Sequence, residues 1–214
     1  VTSADTIQAA QDLTLTGSLS ISVNGAVTTS VGDVTLNSAG SLIVNDTISA
    51  AANASLVGNT IATTQAIEAG ANVTVAAAQS VVLNGTVASA GGDVVVSTSL
   101  ASSGSDAVGV SITKAVTSTE SVIVASEGDV TIRDETLTPD SLIVTANDVE
   151  VTSVNGGVLL DTIDVTGTRT VQDPTTGIDE IRAVFVSGGE DVAVSGAITG
   201  GLQGGISPTS TARP

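Results

Sequence analysis

The sequence predicts an all-β protein: a right-handed parallel β-helix with about three short strands per coil of roughly 20 residues, and about ten coils. Three observations predict it. Val and Thr are the two commonest residues, and both are β-branched and suited to a pleated surface. No long stretch keeps apolar residues at the i, i+3, i+4, i+7 spacing of an amphipathic helix. Short triplets with apolar first and third residues return about every 20 residues, separated by Gly, Asn, Asp and Ser turns. A hydrophobic content of 41% and a mean hydropathy of +0.44 exclude an acidic disordered tail.

The first column of strands reads Asp or Asn, apolar, any, apolar. It appears as Asp12-Leu-Thr-Leu, Asp33-Val-Thr-Leu, Asn72-Val-Thr-Val and Asp93-Val-Val-Val, then as Asp129-Val-Thr-Ile, Asp148-Val-Glu-Val and Asp191-Val-Ala-Val. A second column holds Ile21-Ser-Val, Leu42-Ile-Val, Val81-Val-Leu, Val122-Ile-Val, Leu142-Ile-Val and Val184-Phe-Val. A third, weaker one holds Val27, Ile48, Ile67 and Val87. A sandwich would need hairpin turns instead. No coil buries its apolar positions alone, so stacking at ~4.8 Å must build the core. Residues 1–199 are therefore one solenoid domain. Segments 98–120 and 166–182 break the period and are expected to be loop insertions, and 200–214 reads as a linker or terminal strand.

Within the first column Leu13, Leu15, Val34, Leu36, Val73 and Val75 should point inward, and Thr14, Thr35, Thr74 and Thr131 outward. A flat ice-binding array requires two regular Thr ranks; this rank reads as single and is broken by Val95, Glu150 and Ala193. Asn24, Asn45, Gln65 and Asn84 recur at the end of the second column and read as a ladder of stacked amides. The Asp column has two readings. Asp can cap a turn by accepting backbone N–H groups, or carboxylates from successive turns can gather around calcium, with Asp129, Asp134 and Asp191 as the candidates. The second column has apolar middle positions at Ile43, Val82, Ile123, Ile143 and Phe185, where an exposed strand would carry polar residues. Either the insertions cover this stripe, or it is an interface with copies of the chain or with the rest of a longer fibre.

Composition excludes several functions. With 22 acidic and 5 basic residues the net charge is −17, which opposes nucleic-acid and anionic-membrane binding. No apolar run is long enough to span a bilayer as a helix. The chain has no His, Cys, Met, Trp or Tyr, and Phe185 is its only aromatic. Triad, thiol and zinc chemistry are thereby excluded, and sugar-stacking platforms are missing. Parallel β-helices do host polysaccharide-cleaving enzymes. The best constellation here, Arg182 beside Asp179 and Glu180, reads as a surface ion pair at a loop end. The expectation is therefore no enzyme, no catalytic residue and no required cofactor. Lacking an initiator Met and a secretory leader, the chain is expected to be processed or a piece of something longer.

Residues 31–49 (VGDVTLNSAGSLIVNDTIS) and 81–96 (VVLNGTVASAGGDVVV) resemble the repeats of filamentous haemagglutinin-type large exoproteins, bacterial surface adhesins exported by two-partner secretion. The likeness covers most of 10–96 and, more loosely, 121–160 and 184–199. It implies an extended, secreted, non-enzymatic β-helical shaft at the cell surface, structural or adhesive, contacting a host or neighbouring-cell surface. The alternative is a subunit polymerising end to end by coil stacking. A carbohydrate-active β-helix is disfavoured.

Overall fold

Each repeat contributes one strand to each of three faces, and equivalent strands of successive coils pair in parallel. The computed structural model describes residues 1–99, 109–133, 142–172, 179–200 and 205–210, and among these it contains 26 strands and no helix.

The first face begins with Leu13–Gly17 and Val34–Ser38. It continues through the leading halves of Ala54–Thr63 and Val73–Leu83, then Val94–Thr98, Ser121–Ser126, Asp148–Ser153 and Asp179–Gly188. The second face holds Ser20–Val23, Ser41–Val44, the trailing halves of the two long strands, Gly109–Ile112, Asp129–Ile132, Val158–Leu160 and Val192–Val194. The third face is a separate parallel sheet of nine strands, from Ile7–Ala9 to Ile198–Gly200. Nine coils at ~4.8 Å make a rod about 40 Å long.

The inner side of all three faces forms one continuous core. On the third face Val27, Ile48, Ile67, Val87, Val116, Val144 and Ile163 form an inward file that is essentially inaccessible to solvent. Each such side chain contributes about 1.5–3 kcal/mol of burial. Val34 and Leu36 point in with Thr35 outward between them, as the period predicts. The core closes less well at its ends. Ile7, Ala9 and Leu15 of the first coil, and Val192, Val194 and Ile198 of the last, are only partly buried.

Three expectations change. The triplets starting at Asp129 and Asp191 pair with Val158–Leu160 and so belong to the second face, taking Thr131 and Ala193 with them. Val122-Ile-Val and Val184-Phe-Val lie on the first face, and the strand Leu142–Ala146 lies on the third. All three faces bury one side, so the apolar-x-apolar signature is the same on each and does not report which face a strand occupies. The departure read over 98–120 is shorter, because Gly109–Ile112 is the second-face strand of the fifth coil and Val116–Ser118 the third-face strand of the sixth. Within 166–182, Arg169–Gln172 pairs antiparallel with the start of Asp179–Gly188, a hairpin leg on the first face. The tail resolves in part as a strand, Gly205–Ser210, stacked on Asp179–Gly188.

Candidate functional site

The carboxylates of the first column face the next coil. Asp12 Oδ1 accepts the backbone N–H of Asp33 at 2.9 Å. Asp33 Oδ1 accepts both the backbone and side-chain N–H of Asn53, each at 2.9 Å. Asn53 Oδ1 accepts the same pair from Asn72 at 3.1 and 3.0 Å. Asn72 Oδ1 takes the Asp93 N–H at 2.9 Å, and Asp93 Oδ1 takes that of Ser121 at 2.9 Å. Ser121 Oγ then donates to the buried Asp148 carboxylate at 2.8 Å. This ladder satisfies turn N–H groups that the strands leave unpaired, which is the turn-capping reading of the column. It also gives the Gly-Asp pairs a reason. A Cβ on Gly32 would press on Asp12 Oδ1, and one on Gly92 on Asn72 Oδ1.

Asn53 and Ser121 were not legible as members of the ladder. Asn53-Ala-Ser-Leu fits the pattern only if Ala54 counts as a core residue, and Ser121 replaces the amide or acid with a hydroxyl. Replacing Asn53 with Ala removes an acceptor for two donors and a donor to Asp33. The expected loss is about 1–3 kcal/mol of stability, read as a lower urea midpoint at unchanged m. A change within about 0.3 kcal/mol would show that the ladder carries no stability.

A second ladder runs at the corner between the second and third faces. Asn45 Nδ2 donates to Asn24 Oδ1 at 2.7 Å, and Thr113 Oγ1 donates to Asn84 Oδ1 at 3.2 Å. Between them the position belongs to Thr64 and not to Gln65, because Val44 and Leu83 both pair with Thr63. Thr64 Oγ1 donates to the Asn45 carbonyl at 3.0 Å.

The five stripe residues fall on three faces. Ile43 and Val82 lie on the second face with Ala62 between them in register. Ile123 and Phe185 lie on the first face with Glu150 between them. Ile143 is in the third-face strand Leu142–Ala146. They are therefore not one stripe, for the reason that moved their strands.

Asp129 and Asp191 share the second face, two coils and about 10 Å apart, with Gly157 between them. Asp129 Oδ1 accepts the Gly157 N–H at 2.8 Å. Asp134 lies outside the described residues. Among the described residues no group of three acidic side chains is placed to hold a metal ion. Arg182, Asp179 and Glu180 share the strand Asp179–Gly188, but their side chains lie outside those described. Chemically, the ladders do one thing: they tie each coil to the next.

Compared with known proteins, the chain matches no family model, no curated protein and no solved structure.

Proposed function

We propose that this chain is a non-enzymatic structural module, a length of β-solenoid shaft in a bacterial surface or secreted fibre, extracellular and adhesive in role. The observation that carries the reading is where the carboxylates go. From Asp12 to Asp148 the column side chains are engaged in coil-to-coil hydrogen bonds, over one unbroken apolar core. A chain whose polar groups hold consecutive coils together is built to bear length, and charge of one sign keeps such a rod soluble.

The partly buried apolar residues at the two ends favour a second reading, end-to-end polymerisation. Open strand edges and an uncovered core invite another coil. Electron microscopy of the purified chain across a concentration series, in calcium and then in EDTA, separates the two. The shaft reading expects isolated rods about 40 Å long at every concentration. Long filaments with a repeat near that length would replace it with the end-to-end assembly. Filaments that dissolve only in EDTA would place a bridging cation at the Asp column.

A further inference from the structure

The dipeptide Asn-Gly occurs three times, at Asn24-Gly25, Asn84-Gly85 and Asn155-Gly156. Each lies at a corner of the rod, and all three asparagines are exposed. At such a pair a chain can attack itself: the glycine has no side chain to keep its amide nitrogen from the asparagine Cγ. By sequence the three pairs are equivalent. Their hydrogen bonds are not. Asn24 and Asn84 are rungs of the second ladder, and each side-chain carbonyl takes a donor from the coil after. Asn45 Nδ2 lies 2.7 Å from Asn24 Oδ1, and Thr113 Oγ1 lies 3.2 Å from Asn84 Oδ1. A donor placed there draws electron density from Cγ and stabilises the negative oxygen that forms when a nucleophile adds. Among the described residues the Gly25 and Gly85 N–H groups meet no acceptor, and Asn24 Nδ2 and Asn84 Nδ2 donate to nothing. Nucleophile and leaving group are both unheld. Asn155, at the corner between the first and second faces, has the opposite arrangement. Ser153 Oγ accepts the Gly156 N–H at 3.0 Å, and Glu127 Oε2 accepts from Asn155 Nδ2 at 3.2 Å. The Glu127 carboxylate also opposes negative charge developing on the Asn155 side chain.

We propose that Asn24 and Asn84 are sites of spontaneous deamidation, and that Asn155 is protected from it. The glycine nitrogen gives its proton to hydroxide and adds to the asparagine Cγ. The Cγ–Nδ2 bond then breaks, ammonia leaves, and a five-membered succinimide remains. Water opens that ring at either carbonyl, to aspartate or to isoaspartate, whose main chain runs through the side chain and is one carbon longer. Each event adds a negative charge to the −17 of the chain. The corners have no room for the longer product. Even a Cβ on Gly25 would stand 2.5 Å from the Asp5 carbonyl oxygen, and one on Gly85 would overlap that of Gln65. Conversion to isoaspartate therefore loosens the tie between two coils at the place where it occurs. The inference is the same for a shaft and for an end-to-end polymer.

Incubation of the folded chain in neutral buffer for several weeks tests it, with peptide mapping by mass spectrometry and enzymatic methylation of isoaspartate as readouts. Asn24 and Asn84 are expected to convert at least about tenfold faster than Asn155, because the Asn155 reaction must first break two hydrogen bonds. In concentrated urea those bonds are gone, and the three sites should convert within about threefold of one another. Two variants probe the hydrogen bonds singly, each with its fold checked by circular dichroism. Ser153→Ala frees the Gly156 N–H and should speed Asn155 several-fold while leaving Asn24 and Asn84 unchanged. Thr113→Val removes the donor to Asn84 Oδ1 and should slow Asn84 but not Asn24, whereas mere loosening of the corner would speed it. Asn155 converting as fast as either of the others in the folded chain would overturn the proposal. So would a folded chain in which Asn24 and Asn84 stay intact while all three convert in urea, or a Thr113→Val variant whose Asn84 is not slowed.

Discussion

Replacing Leu56 with alanine is expected to remove about 3 kcal/mol of stability. Leu56 is fully buried and lies in register between Leu36 of the coil before and Val75 of the coil after. The strands carrying those neighbours are held by their ladders at a spacing of ~4.8 Å and cannot close over the space the side chain leaves. The loss therefore includes a cavity contribution as well as the transfer of the removed carbons, and sits inside the 2–5 kcal/mol range of such changes. Urea denaturation reads it as a lower midpoint. Native-state hydrogen exchange should show it as lost protection centred on the strands of those three coils, since stability in a repeat array is nearly a sum of neighbour terms. Leu19, 81% exposed at a corner, supplies the comparison: its alanine variant should stay within about 0.5 kcal/mol of the parent. Equal losses for the two would mean that the Leu36–Leu56–Val75 file is not the core.

Gly85→Ala is expected to be at least as damaging, by a different route. Gly85 is buried at the corner between the second and third faces, where a Cβ would overlap the Gln65 carbonyl and stand 2.8 Å from the Ala66 nitrogen. Those atoms are backbone, so relief requires the two coils to separate, breaking ladder bonds on both sides of the corner. A loss of about 3 kcal/mol or more is expected, with unfolding that splits into two transitions because the weak point lies near the middle of the array. Thr86→Ala, at the exposed neighbouring position, should leave a single transition at nearly the parent midpoint. A Gly85→Ala variant as stable as its parent would show that the coils at this corner sit further apart than the structure has them.

The period of about 20 residues, the three strands per coil and the inward direction of Val34, Leu36, Val73 and Val75 were legible because each is a local rule. A strand alternates its sides every residue, and a turn needs Gly, Asn or Asp. The capping use of the Asp column was legible for the same reason, since a carboxylate beside a turn has nearby N–H groups to accept. What local rules do not contain is the identity of the face. Asp129-Val-Thr-Ile reads like Asp33-Val-Thr-Leu, yet it belongs to the second face, because strand partners are chosen by counting coils across insertions whose lengths the period does not predict.

The same limit hid smaller features. Gln65 resembles Asn45 in chemistry, but the pairing of Val44 with Thr63 puts Thr64 at that rung. Thr63 itself takes an inward place beside Val44 and Leu83, where its buried hydroxyl has no hydrogen-bond partner among the described residues, and nothing in an apolar-x-apolar pattern marks it for the core. By itself the sequence determined the kind of object, a solenoid, since composition and period decide which secondary structure repeats and how often. Only the tertiary structure decided which residues share a surface. That choice is made by parallel pairing between residues about 20 apart, and a shift of one residue in that pairing exchanges inside for outside.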